Sequence, residues 1–266
     1  MIILYHLAIG AGDPPTSPDE LRYCYEADLR VLPSFATIPA VGAMLNISSL
    51  EGVDVNPAMV LHGEHEVELH RPLPVRSTVN SESRITGVYD KGKGALVQVE
   101  TVSDDQHGPL FTNRASLFIR GEGGFGGEQG PPTGLASPER PPDAVVESKT
   151  APQQALLYRL TGDKNPLHAD PTFAAFGGFD RPILHGLCSF GIICKAVVGN
   201  ALEHDVARVA RYRGRFSGVV FPGETIVTSI WKDPGVVHIE ATVKERETPV
   251  LTNGTFHLVS NPNRPE

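Results

Sequence analysis

The stretch GEGGFGGEQGPPTGLASPERPP, residues 121–142, decides how this sequence divides. Glycine and proline are too frequent there for a helix, and proline cannot donate to the ladder of a central strand. We read it as a connection between two halves. The expected boundaries are a first domain over 1–125, a linker over 126–147 and a second domain over 148–260. Within it, 123–127 resembles a phosphate-cradling loop. No Lys-Ser/Thr pair follows and no helical pattern begins, so the connection reading is kept, for a loop able to lie near a ligand.

Working outward, each flank carries strand-like runs. Before the connection they cover approximately 59–69, 77–89, 95–102 and 110–120, with turns at 90–94 and 104–108. After it they cover 209–220, 225–231, 236–244 and 250–259, with turns at Pro222-Gly223-Glu224 and Asp233-Pro234-Gly235. Helical material precedes each set, so the order repeats. Even a detail recurs, because 65–73 runs into Pro74 and 213–221 into Pro222. Meandering strands with one helix per half predict an α+β fold, a long helix wrapped by an antiparallel sheet, made twice. The first helix, within 31–45, is expected to be short or irregular because Pro33 and Pro39 interrupt it.

Composition narrows the function. The formal net charge of −8 disfavours general nucleic-acid binding, which needs clustered lysine and arginine. The three cysteines, Cys24, Cys188 and Cys194, are odd in number and wrongly spaced for zinc. They read as reduced thiols in a cytoplasmic protein. The apolar opening, 1–10, lacks a basic region and is too short to span a bilayer. His62, His65 and His70 suggest a metal only weakly, since their spacing on a strand splits them between faces.

The chemistry concentrates in 158–186. Thr150-Ala151-Pro152-Gln153 reads as a helix start, with Thr150 as cap and Gln153 completing a capping box. Leu156, Leu157 and Leu160 share one face, and Gly162 offers a stop. Asp163-Lys164-Asn165-Pro166-Leu167-His168 follows. Pro166 forces Asn165 towards an extended conformation, making a shaped loop. Asp170-Pro171 then reads as a cap and first residue of a short helix. Asp163 and His168 are thus tethered together, and a carboxylate beside an imidazole suits proton transfer near neutral pH. Arg181-Pro182-Ile183-Leu184-His185-Gly186 leads into an apolar run long enough for a buried helix. Backbone N–H groups at its start, near Gly186, suit a developing oxyanion.

These residues resemble a known family. The run 158–171, with Gly178-Phe179 and 182–188, closely resembles the hydratase 2 motif of R-specific enoyl-CoA hydratases in the MaoC-like family. The resemblance extends to Leu4-Tyr5, Gly10-Ala11-Gly12, Val31-Leu32-Pro33, Leu61-His62-Gly63-Glu64, Arg71-Pro72-Leu73-Pro74, Asp90-Lys91-Gly92 and the glycines of 123–127, so it covers nearly the whole chain. It implies a double hot-dog fold in the two-domain form. It also implies a catalytic pair at Asp163 and His168, a supporting asparagine at Asn165 and an oxyanion donor at the Gly186 N–H. Substrate contacts would fall on His62, Gly63, Lys91 and Phe216, with Lys91 facing an anionic CoA group. The family usually carries a further segment ahead of the match to Leu4-Tyr5; its absence here predicts a less ordered opening.

The expected reaction is reversible addition of water to a trans-2-enoyl-CoA, giving a (3R)-3-hydroxyacyl-CoA, in fatty-acid or sterol side-chain metabolism. No cofactor or metal is implied beyond the acyl-CoA substrate, and a homodimer is expected. The sequence also allows two alternatives: an acyl-thioesterase on the same fold, and a non-catalytic acyl-CoA-binding subunit. The first half lacks any Asp-x-Asn-Pro-x-His, which marks it as catalytically silent.

Overall fold

The computed structural model describes residues 1–45, 55–56, 59–130 and 137–259. The part of the connection at 131–136 and the segment 46–54 after the first central helix lie outside the described residues.

The first half supplies β1 (Val60–Leu69), β2 (Asn80–Asp90), β3 (Gly94–Asp105) and β4 (Gly108–Arg120). The second supplies β5 (Ala144–Lys149), β6 (Val209–Phe216), β7 (Thr225–Asp233), β8 (Val236–Val243) and β9 (Thr248–Leu258). Alternation in the sequence becomes alternation in space. On β8, Val237, Ile239, Ala241 and Val243 face inward, while His238, Glu240 and Thr242 do not. All nine strands join one antiparallel sheet in the order β2-β3-β4-β1-β6-β9-β8-β7-β5.

The two halves meet where β1 pairs with β6, His65 opposite Gly214 and Glu66 opposite Arg213. These are the strands on which the sequence repeat was noticed, so equivalent elements pair across the seam. Arg114 on β4 reaches Glu66 and Glu68 on β1 at 2.8 and 2.7 Å, and Arg211 on β6 reaches Glu68 at 3.0 Å. Half-exposed pairs of this kind each contribute at most about 1 kcal/mol. The Arg211–Glu68 pair helps fix register across the seam, and Arg114 does the same between β4 and β1 within the first half.

Each half packs a helix on its part of the sheet. In the first, α3 (Thr37–Leu45) lies on β2, β3 and β4. Pro39 falls in its first turn, where no intrahelical N–H bond is lost, and a 3-10 turn over Pro33–Ala36 leads into it. In the second, α6 (Gly186–Ala201) packs on β5 and β7 and buries Leu187, Phe190, Ile193, Cys194, Val197 and Val198. Phe190 stacks on Tyr212 at 3.8 Å, and Tyr212 on Phe256 at 4.0 Å. The result is the expected double hot-dog, with both helices enclosed by one long sheet.

Several local expectations are corrected. β5 begins at Ala144, inside the stretch read as linker, because a six-residue strand with three apolar residues followed by three polar ones (Ala-Val-Val-Glu-Ser-Lys) lacks the apolar/polar alternation that marks a strand. The chain's opening is ordered: α1 (Ile2–Ala8) buries Tyr5, His6 and Ala8, and α2 (Pro18–Cys24) follows. Thr150 does not cap a helix. Its hydroxyl donates to the Glu224 carbonyl at 2.7 Å, and α4 (Gln154–Tyr158) starts later, the Gln154 side chain accepting the Ala151 N–H. Leu156 and Leu160 point outward, about half exposed. The cysteines are free thiols, Cys188 and Cys194 buried on α6. Among the described residues, no helix is long and apolar enough to cross a membrane.

Candidate active site

The loop between α4 and α5 (Pro171–Phe176) carries the paired acid and imidazole. Gly162, at φ 135°, turns the chain out of the preceding 3-10 turn in a conformation L side chains rarely adopt. Asn165 takes φ −50° and ψ 122°, the extended state that Pro166 imposes, and its side chain accepts the Leu167 N–H at 3.0 Å. Asp163 Oδ1 accepts the Asn165 N–H at 3.1 Å. Asp170 caps α5 by accepting from Thr172 and Phe173, as its sequence position predicts. The loop is therefore held from both ends by its own side chains.

His168 is buried, and its Nδ1 lies 2.8 Å from the Ile183 carbonyl. A carbonyl only accepts, so Nδ1 carries the proton and Nε2 presents a bare lone pair. Burial pulls its pKa below the ordinary histidine value, opposed by the Ile183 carbonyl and the Asp163 charge. The ring is thus a neutral base beside a carboxylate.

Gly186 opens α6, with His185 at the N-cap, so its N–H has no acceptor one turn back. A Cβ at Gly186 would meet only the Phe216 ring, at 3.5 Å, an ordinary contact. The protein's own packing therefore does not demand glycine there; close approach of a ligand would.

All eight residues singled out in the sequence line one cavity of about 890 Å³: Asp163, Asn165, His168 and Gly186 from the second half with Phe216, and His62, Gly63 and Lys91 from the first. Apolar walls come from both halves, including Val60, Leu61, Leu96 and Leu117 from the first and Leu167, Leu184 and Leu187 from the second. Arg120 and Arg215 join Lys91 in the lining, two cations that the sequence reading missed because arginines on strands carry no motif.

Two further histidine observations differ from expectation. A bulge in β1 between His62 and Glu64 resets the side-chain alternation. His62 and His65 consequently face the same way, ring centroids 5.2 Å apart, rather than opposite faces. His65 Nε2 donates to Asn113 Oδ1 at 2.9 Å, while His70 bonds Thr112 elsewhere. The second observation is His185, to which the sequence reading gave no role. Its ring stacks on His168 at 3.7 Å, its Nε2 donates to the Asp163 carbonyl at 3.3 Å, and burial drives its pKa down to about 2. The available signal was a histidine just before the expected helix start, where Ser, Thr, Asp or Asn is the usual cap.

Asp163, His168 and His185 place ligand atoms within 4.8 Å of one another, the spacing of a metal centre. The donor directions fit poorly. The imidazoles stack at 28°, so their in-plane lone pairs run side by side rather than converging on a tetrahedral ion. A water held between the Asp163 carboxylate and His168 Nε2 fits the same geometry directly.

Known proteins match along nearly the whole chain. The family model described as the MFE-2 hydratase 2 N-terminal domain matches residues 1–121, and that of the MaoC-like domain matches residues 135–254. An enoyl-CoA hydratase of Mycobacterium tuberculosis is 43% identical, over 94% of this chain and 89% of its own. The peroxisomal enoyl-CoA hydratase 2 of Arabidopsis thaliana is 40% identical, over 94% and 86% respectively. A crystal structure of a MaoC-like dehydratase from Phytophthora capsici superposes with a TM-score of 0.85 at 37% identity, covering 98% of this chain and 92% of that one. The fold alone is shared with a Mycobacterium tuberculosis protein described as a double hot-dog, at 16% identity, TM-score 0.57 and coverage of 95% and 92%.

Proposed function

This chain belongs to the MaoC-like hydratase 2 family, and from that premise we propose that it reversibly hydrates a trans-2-enoyl-CoA to a (3R)-3-hydroxyacyl-CoA. The observation that carries the reading is the tautomer of His168. Its bare Nε2 sits beside the Asp163 carboxylate, in one cavity with the unpaired N–H of Gly186.

The chemistry follows from these groups. Water donates one proton towards Asp163 and the other towards His168 Nε2. As its oxygen bonds to C3, the pair takes up a proton and then returns it to C2, so water's atoms are all accounted for and no cofactor is consumed. Negative charge gathers on the thioester oxygen meanwhile, where the Gly186 N–H and the helix start stabilise it. Asn165 holds the loop, and His62, Gly63 and Phe216 flank the acyl thioester. Lys91 meets the CoA phosphates.

The division of labour follows the two halves. The first half forms a silent hot-dog that shapes the acyl pocket, and the second half, which opens with β5 at Ala144, carries the catalytic loop. A cavity of about 890 Å³ with apolar walls supports a long or bulky acyl chain in fatty-acid or sterol side-chain breakdown. Outward-facing Leu156, Leu160 and Phe176 support a homodimer. Free thiols support a reducing compartment, the cytoplasm in our reading, although several relatives are named as peroxisomal.

The test is a hydration assay across enoyl-CoA chain lengths with chiral analysis of the product. The (3R) product, with longer chains preferred over crotonyl-CoA, is the expected result. Release of free CoA would instead mark a thioesterase, and a clear crotonyl preference would overturn the acyl assignment.

A further inference from the structure

The glycine run at 121–130, in the connection between the halves, is built around a single carboxylate. Asp90, at the end of β2, accepts the N–H groups of Gly92 at 2.7 Å, Gly124 at 2.9 Å and Gly126 at 2.7 Å. The N–H of Gly124, above those of Gly92 and Gly126, holds the Asp90 carboxyl below the usual carboxylate range. Successive amides converging on an anion form a nest, and here the anion belongs to the protein. The loop is therefore filled from within and is no phosphate site.

The loop in turn fixes Lys91, the next residue. The Asp90 N–H donates to the Glu128 carbonyl at 2.9 Å, and Lys91 Nζ donates to the Gln129 carbonyl. Gly123 packs so closely on the 92–94 turn that a Cβ would stand 2.5 Å from the Gly94 nitrogen and 2.6 Å from the Gly92 oxygen. Lys91 also lines the cavity with Arg120. One lysine thus faces the ligand while its ammonium, and the backbone N–H of Asp90 just before it, are tied to the loop that Asp90 gathers.

We propose that Asp90 is a positioning residue for carrier recognition: by occupying the glycine nest it holds Lys91 where the phosphates of a CoA carrier bind. The inference rests on the proposed enoyl-CoA hydratase reading. An untethered lysine is a flexible point charge, and fixing it removes an ordering cost from binding. Asp90 itself touches neither the acyl chain nor the reacting atoms.

The experiment compares two thioesters of one acyl group, the enoyl-CoA and the enoyl-N-acetylcysteamine, which lacks every phosphate. Calorimetric binding of free CoA accompanies it. In Asp90→Asn, one nest acceptor becomes a donor facing amide donors. The expected result is about a tenfold rise in KM for the CoA thioester and in Kd for CoA, the size of one lost charge-assisted contact. The kcat and the N-acetylcysteamine kinetics should stay within twofold. Gly123→Val, which pushes the loop away by a different route, should reproduce the same split. Combining Asp90→Asn with Lys91→Ala should be no worse than Lys91→Ala alone. Equal impairment of both thioesters would make Asp90 a structural residue and overturn the proposal. Wild-type-like CoA binding in Asp90→Asn, with both thioesters still hydrated, would overturn it alone. A wild-type protein that neither binds CoA nor hydrates either thioester would overturn the functional reading along with it.

Discussion

Acidification from pH 7.5 to 5.5 should destabilise the protein by about 5.5 kcal/mol, because four histidines fold in the neutral state, among them His62, whose pKa burial lowers to about 3. His6, His65 and His185 are each no more than 1% exposed. Burial lowers their pKa values to about 4, about 4 and about 2. In the unfolded chain each returns to about 6.5. Their folded values are depressed, so the unfolded state binds more protons. The stabilisation is complete above pH 6.5 and is lost as pH falls towards the folded values. Between pH 7.5 and 5.5 each group loses about one pH unit's worth of free energy, roughly 1.4 kcal/mol. Together that approaches half of a typical domain's stability. The depressed carboxylates, such as those of Glu68 and Glu100 beside Arg114, titrate at lower pH and leave this window to the histidines. Urea unfolding followed by far-UV circular dichroism at pH 7.5, 6.5 and 5.5 measures the loss. His65→Gln should reduce its pH slope by about a quarter whatever its absolute stability. A loss below about 1 kcal/mol over the same span would refute the argument.

Asp163→Asn and His168→Gln should each lower kcat by roughly 10²–10⁴-fold, the usual contribution of general acid–base groups, with circular dichroism unchanged. Wild-type turnover in either would remove that residue from the mechanism. Gly186→Pro tests the oxyanion donor, because proline fits the first helical position and His185 already has ψ 134°, the state a following proline requires. The fold should survive while kcat falls roughly 10²–10³-fold; near-normal kcat would exclude the Gly186 N–H. Phe190→Ala removes a fully buried ring stacked on Tyr212 and edge-on to His65. Thermal or urea unfolding should register a loss of about 3–5 kcal/mol, and a loss under 1 kcal/mol would mean the surrounding rings collapse into the space.

Local chemistry was readable wherever it is set by neighbours in the chain. Pro166 fixed the backbone of Asn165, and Asp170-Pro171 opened a helix where its side chain predicts one. The apolar run after Gly186 became the buried helix α6. Readings failed where a distant partner decides. Thr150 has a capping residue's chemistry, but the Glu224 carbonyl from another turn competes for its hydroxyl. Leu156 and Leu160 share a helical face, yet no element covers it. The edge strand β5 has only β7 to pair with, so half its positions stay polar and its pattern fades into the connection.

By itself the sequence determined the two-fold repeat, the strand pattern and the placing of Asp163, His168 and a helix start at Gly186 close together in the chain. Tertiary structure alone decided that β1 and β6 join the halves into one sheet, bringing His62, Gly63 and Lys91 to the cavity that holds Asp163 and His168. It decided that a bulge turns His62 and His65 the same way, that His185 stacks on the base, and that Asp90 fills the glycine nest. The physical reason is range. Dihedral preferences, caps and alternation act over a few residues and are written in the local sequence. Pairing across the seam and filling a nest 34 residues away from its carboxylate depend on long-range contacts that no local pattern encodes.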